Sequence, residues 1–131
     1  MKKTALLNTA LSETISMLGH GDMLVIGDAG LPIPEEPRRI DLALTRGIPG
    51  FLETLRAVLS EMQVQSVILA QETEQVSPHI QAAVRELLPG IPLQVVTHAE
   101  LKETTRQAKA VVRTGEFTPY ANIILVAGVV F

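Results

Sequence analysis

Met23-Leu24-Val25-Ile26-Gly27, enclosed by Asp22 and Asp28, is the stretch whose reading decides the fold. It is too short for a helix and apolar at successive positions, so it reads as a strand buried on both faces. Such strands belong to sheets covered by helices on either side. Upstream, Asn8 can cap a helix whose Leu11, Ile15 and Leu18 recur at i, i+4 and i+7, with Gly19 as its stop. Downstream, Leu31–Pro37 carries three prolines and must be loop, and Ile40–Leu44 (IDLAL) alternates like a strand. Gly47–Gly50 then breaks the chain before an amphipathic run, Phe51–Met62.

The second half repeats the rhythm. Ser66–Ala70 (SVILA) is a buried strand, and Ser77-Pro78 pairs an N-cap with a first-turn proline for a helix to about Leu88. Leu93–Thr97 is strand. Thr97 and Glu100 have capping-box spacing, opening a helix through about Ala108. Ala110–Thr114 and Asn122–Val126 are the last strands. The alternation predicts one α/β domain over residues 1–131, three-layered, with a largely parallel sheet flanked by helices.

Composition narrows the function. The 131 residues hold 14 acidic and 11 basic side chains, no cysteine, no tryptophan and four aromatics. A net charge of -3 lacks the basic footprint of a nucleic-acid binder, and so few aromatics leave little for bases to stack on. Without cysteine there is no disulfide, thiolate zinc site or cysteine nucleophile, which fits a reducing compartment. The longest apolar run, Ile123–Phe131, is about half a membrane span, and Lys2-Lys3 leads into no signal-like apolar core. A soluble, cytoplasmic protein is expected. A mean hydropathy of +0.28 in so small a chain points to apolar surface hidden in subunit contacts, hence a homo-oligomer.

Ligands of open α/β sheets sit outside the carboxyl ends of the strands. Asp28 and His98 each directly follow a strand, and Tyr120 and Asn122 stand at the entry to the last one. Lys102 lies one helical turn beyond His98. His20, between Gly19 and Gly21, is left unshielded. Each has a plainer reading: Asp28 as a turn cap, His98 as a helix-start residue, His20 as a helix terminator, Lys102 as a solvated cation. His79, beside the Ser77-Pro78 cap, reads as an ordinary surface residue. No GxGxxG, Walker or GxSxG sequence is present, the histidines lack zinc-pair spacing, and three aspartates are too few for a hard-metal cage. A cofactor-free and metal-free site remains, built from one or two histidines, an aspartate and neutral hydrogen-bonding groups.

GHGD (Gly19–Asp22), GDAGLPIP (Gly27–Pro34), RRIDLAL (Arg38–Leu44) and RTGEFTPYANIILVAGVVF (Arg113–Phe131) together resemble the D-ribose pyranase and L-fucose mutarotase family, from one end of the chain to the other. RTGEFTPYAN looks more like the ribose-specific branch. The resemblance implies exchange of the pyranose and furanose rings of D-ribose, feeding the furanose to ribokinase. It implies a cofactor-free homo-oligomeric ring, a decamer of two stacked pentamers, with sugar near subunit boundaries. It assigns proton transfer to His20 and sugar binding to Asp28, His98 and Tyr120-Ala121-Asn122. Lys102 is added as a binding candidate on its place one turn from His98, not on the resemblance.

The chemistry suits these residue types. Changing ring size opens a hemiacetal: one oxygen loses a proton, another gains one, and no electrons or groups leave. A histidine, with its ordinary pKa near ~6.5, can do both at neutral pH and contribute a hundred- to about ten-thousand-fold. His98 is the alternative acid–base group. The competing functions are mutarotation of another sugar such as L-fucose, a non-catalytic sugar-binding module, and a purely structural ring.

Overall fold

A computed structural model describes all residues, 1–131. The elements run α1 (Thr9–Met17), β1 (Met23–Gly27), β2 (Arg38–Asp41), α2 (Phe51–Leu59), β3 (Val64–Ala70), α3 (Gln71–Val76), α4 (Pro78–Leu87), β4 (Leu93–Val96), α5 (His98–Thr105), β5 (Ala110–Arg113) and β6 (Ile123–Ala127). The six strands form one sheet in the order β2-β5-β1-β6-β3-β4.

Strand alternation explains the layers. Leu24 and Ile26 of β1, Ala110 and Val112 of β5, and Ile123 and Leu125 of β6 point into a large core shared with Leu11 of α1, Phe51, Leu55 and Val58 of α2, and Ile80 and Val84 of α4. The intervening Val25, Val111 and Ile124 face the other way, onto Leu101 of α5 and Leu31. Phe51, Leu55 and Leu101 are fully buried, each worth about 1.5–3 kcal/mol relative to exposure. In β3 the register slips by one residue between Val64 and Ser66. The extra residue, Gln65, lets Val64 and Val67 share one face despite their odd spacing.

The expected parallel sheet is instead mixed. β2, β5 and β1 are parallel neighbours, as are β3 and β4, but β6 runs antiparallel to both β1 and β3. Only Thr114–Asn122 joins β5 to β6 across one intervening strand. A parallel return would need a crossover of a dozen or more residues, so the chain comes back in the opposite sense. The carboxyl ends of five strands and the start of β6 therefore share one edge of the sheet.

Several boundaries differ from expectation. β2 is Arg38–Asp41 rather than Ile40–Leu44, because its pairing with β5 sets Ile40 against Val112 inside the core. α2 stops at Leu59 and α5 at Thr105, each short of the expected end. α3 was not foreseen, since QETEQV has no apolar stripe. α1 ends through the Leu18 N–H donating to the Ile15 carbonyl, not on a left-handed Gly19. The Thr97–Glu100 capping box is present, with both reciprocal hydrogen bonds. No helix is long and apolar enough to cross a membrane.

Candidate active site

At the shared edge, Asp28 leaves β1 and turns back on itself, its carboxylate accepting from the Gly30 N–H at 2.9 Å. The Asp28 N–H donates to the side-chain carbonyl of Asn122 at 2.9 Å, tying the end of β1 to the start of β6. Ala29 is held on both sides: its N–H donates to the Glu116 carbonyl, and its carbonyl accepts from Arg113 Nε at 3.0 Å. Arg113 also pairs with Asp41 at 3.1 Å. Beside this turn a cavity of ≈ 400 Å³ is bordered by Asp28, Ala29, Gly30, Arg113 and Glu116–Pro119.

His98 opens α5 after β4. Its N–H donates to Glu72 of α3 at 2.9 Å. Its ring meets the edge of Tyr120 in a T-shaped contact, centroids 5.0 Å apart at 84°. Nδ1 of the imidazole is buried with no hydrogen-bond partner in the chain. Tyr120 is the only non-glycine residue with positive φ, at 60°. Ala121 and Asn122, which follow it, are buried, and Lys102 stands exposed one turn along α5.

Burial is the leading influence on both titrating groups here. It raises the Asp28 carboxyl above the ordinary 3.8, against hydrogen bonds from Gly30, Asn122 and Leu31 and the charge of His98. It lowers the His98 imidazole below 6.5, helped by the Lys102 cation and opposed by Glu72 and Asp28. An imidazole held neutral beside a partly desolvated carboxyl can exchange protons with hydroxyls at neutral pH.

Thus the structure gathers Asp28, His98, Tyr120, Ala121 and Asn122 at one edge. Lys102 instead lines a separate groove with Pro32–Pro34 and Arg106 and reaches the site only through its charge on His98. His20 is elsewhere. It precedes β1 while Asp28 follows it, and the four steps from Met23 to Gly27 alone span about 13 Å at ~3.3 Å per residue. His20 projects from a turn closed by Asp22, which accepts from the Gly19 N–H at 2.8 Å. Its Nε2 lies 2.7 Å from Oε1 of Gln65, the bulge residue of β3. Sequence reasoning missed Glu72, Arg113 and Glu116. The strand-end rule that found Asp28 and His98 applies equally to Glu72, two residues after β3, and to Arg113, the last residue of β5.

The geometry has close counterparts. A D-ribose pyranase of Chloroflexus aggregans is 66% identical over 131 residues, covering all of both chains. One from Clostridium perfringens is 56% identical, again over the full length of both. The solved structure of Bacillus subtilis RbsD complexed with D-ribose superposes with a TM-score of 0.97 at 44% identity, each chain covered completely. The fucose mutarotase of Streptococcus pneumoniae in complex with L-fucose gives 0.85 at 26% identity, also over both full chains. Residues 1–130 match the family described as RbsD / FucU transport proteins. With the strand-edge site and these full-length matches together, the chain belongs to the RbsD / FucU family.

Proposed function

We propose that this chain is an isomerase that opens and recloses the D-ribose ring, exchanging β-D-ribopyranose and β-D-ribofuranose and so supplying furanose to ribokinase. The observation that carries the reading is the convergence of Asp28, His98, Tyr120 and Asn122 on one sheet edge, in a chain matched end to end by proteins named D-ribose pyranase. Asp28 and Asn122 orient sugar hydroxyls through charge-assisted and neutral hydrogen bonds. The Nδ1 of His98, buried and unpartnered, leaves the imidazole with hydrogen-bonding capacity that the chain itself does not use. Lys102 bears on the site through its charge, which acts on His98. No redox or group transfer occurs, so the residues suffice without a cofactor.

His20 is the proton-transfer group in this reading, and it reaches the sugar from a second copy of the chain. Exposed Met17, Val130 and Phe131 lie at His20's end of the sheet, while exposed Leu44, Ile48 and Phe117 flank the site at the other. Two different patches at opposite ends favour a head-to-tail contact, which closes into a ring when the rotation permits. Such a contact covers apolar surface and brings one copy's His20 to its neighbour's Asp28. A cytoplasmic decamer of two pentameric rings, as the family resemblance implies, is the assembly proposed.

Exchange spectroscopy on D-ribose tests the function. Added protein should accelerate pyranose–furanose exchange, and His20→Ala should abolish the acceleration while ribose still binds. Sugar binding without acceleration overturns the enzyme in favour of a binding module. Faster exchange on L-fucose than on D-ribose overturns the substrate. Loss of exchange in His98→Ala but not in His20→Ala transfers the acid–base role to His98.

A further inference from the structure

Thr73 in α3 and Ser77 at its C-terminus stand four residues apart, hence on one side, and are 0% and 2% exposed. A buried helical threonine ordinarily returns its hydroxyl to its own helix, as Thr54 does to Gly50 and Thr105 to Leu101. Thr73 instead donates to the carbonyl of Tyr120 at 2.8 Å. Ser77 precedes α4 but makes no capping bond there, donating to the Pro119 carbonyl at 2.7 Å. Two buried hydroxyls thus grip consecutive carbonyls of the loop that enters β6.

That loop holds the one left-handed residue with a side chain, Tyr120 at φ 60°. A tyrosine keeps this conformation only where its surroundings over-determine it. The turn it makes sets the Tyr120 ring against His98 and leads directly to Asn122, whose side chain accepts from Asp28. We propose that Thr73 and Ser77 are positioning residues for the sugar site: their hydroxyls clamp the Pro119–Tyr120 turn and so fix Tyr120, Asn122 and His98 in mutual register. The clamp acts on ribose only if those three residues hold it, as proposed above.

Thr73→Val removes the hydroxyl at nearly constant shape, Thr73→Ser keeps it, and Ser77→Ala removes the second grip. Each is compared with wild type by the KM and kcat of ribose exchange, and by the His98 ring-proton shifts of the ligand-free protein, which sense the Tyr120 ring. Losing one buried hydrogen bond should raise KM about three- to tenfold, with a smaller fall in kcat. His98 shifts should move with it, and Thr73→Ser should restore both. Wild-type KM and shifts in Thr73→Val overturn the clamp, as does an equal defect in Thr73→Ser. If Thr73→Val does not fold, unchanged KM and shifts in Ser77→Ala overturn it. A wild-type protein that leaves ribose exchange unaccelerated overturns the function instead, and the His98 shifts then decide the clamp alone.

Discussion

His98 and Asp28 are pulled in opposite directions by the same burial, and both shifts carry a sign that can be checked. The imidazole, lowered by desolvation and then by Lys102, should titrate in the folded protein with a midpoint below 6.5 by NMR. Lys102→Met should raise that midpoint, and Asp28→Asn, which deletes an opposing charge, should lower it further. Linkage follows: as pH falls below 6.5 the unfolded chain takes up this proton first, so stability declines from there down to the folded midpoint. Urea melts should show that decline blunted in His98→Gln. At Asn122, buried and accepting from Asp28, replacement by alanine strands a backbone N–H and should cost about 1–3 kcal/mol by the same melts. Residue types and their places after strands were legible in the sequence. The orphaned Nδ1 and the edge-on Tyr120 contact were not, because they depend on how separate elements pack.

The loop between β5 and β6 is held by contacts that no local pattern announces. Glu116 accepts from the Phe51 N–H at the start of α2, and from the Phe117 and Thr118 N–H groups and the Thr118 hydroxyl. Burial pulls its carboxyl upward, yet the Thr118 hydroxyl and these N–H groups prevail and hold it below the ordinary 4.5. A depressed carboxyl contributes stability above its unfolded value and loses it as pH falls through the folded one. Glu116→Gln should therefore be less stable than wild type at pH 7, the gap narrowing once pH drops below 4.5. Gly115 fits for a different reason: a Cβ there would collide with the Thr45 carbonyl and lie 2.5 Å from that of Ile48. Gly115→Ala should displace the Leu44–Gly50 segment and cost about 1–3 kcal/mol, read by thermal melts. Regular elements with caps and apolar periods, such as α1, α4 and β1, were readable locally. α3 was not, since its stability comes from packing against β3 and α4 rather than from its own residues.

Over the whole molecule, the sheet separates His20 from Asp28 by its full height, and the proposed ring reunites them. Subunits with His20→Ala and subunits with Asp28→Asn should each be inactive alone. Dissociated, mixed in equal amounts and reassembled, they should regain about a quarter of the wild-type ribose exchange, because random neighbours pair an intact His20 with an intact Asp28 in that share of contacts. No recovery means that both groups act within one subunit. Removing Val129–Phe131 should yield smaller species by sedimentation and slower exchange, as exposed apolar ends lose their cover. By itself the sequence determined the α/β class, most strand and helix positions and the polar residues at the strand ends, because periodicity, caps and turn residues are local signals. Only the tertiary structure decided that β6 runs backward, that five strand ends and the Tyr120 turn share one edge, and that His20 stands at the other. Those outcomes depend on chain reversal and strand order, which bring together residues as far apart as Asp28 and Asn122.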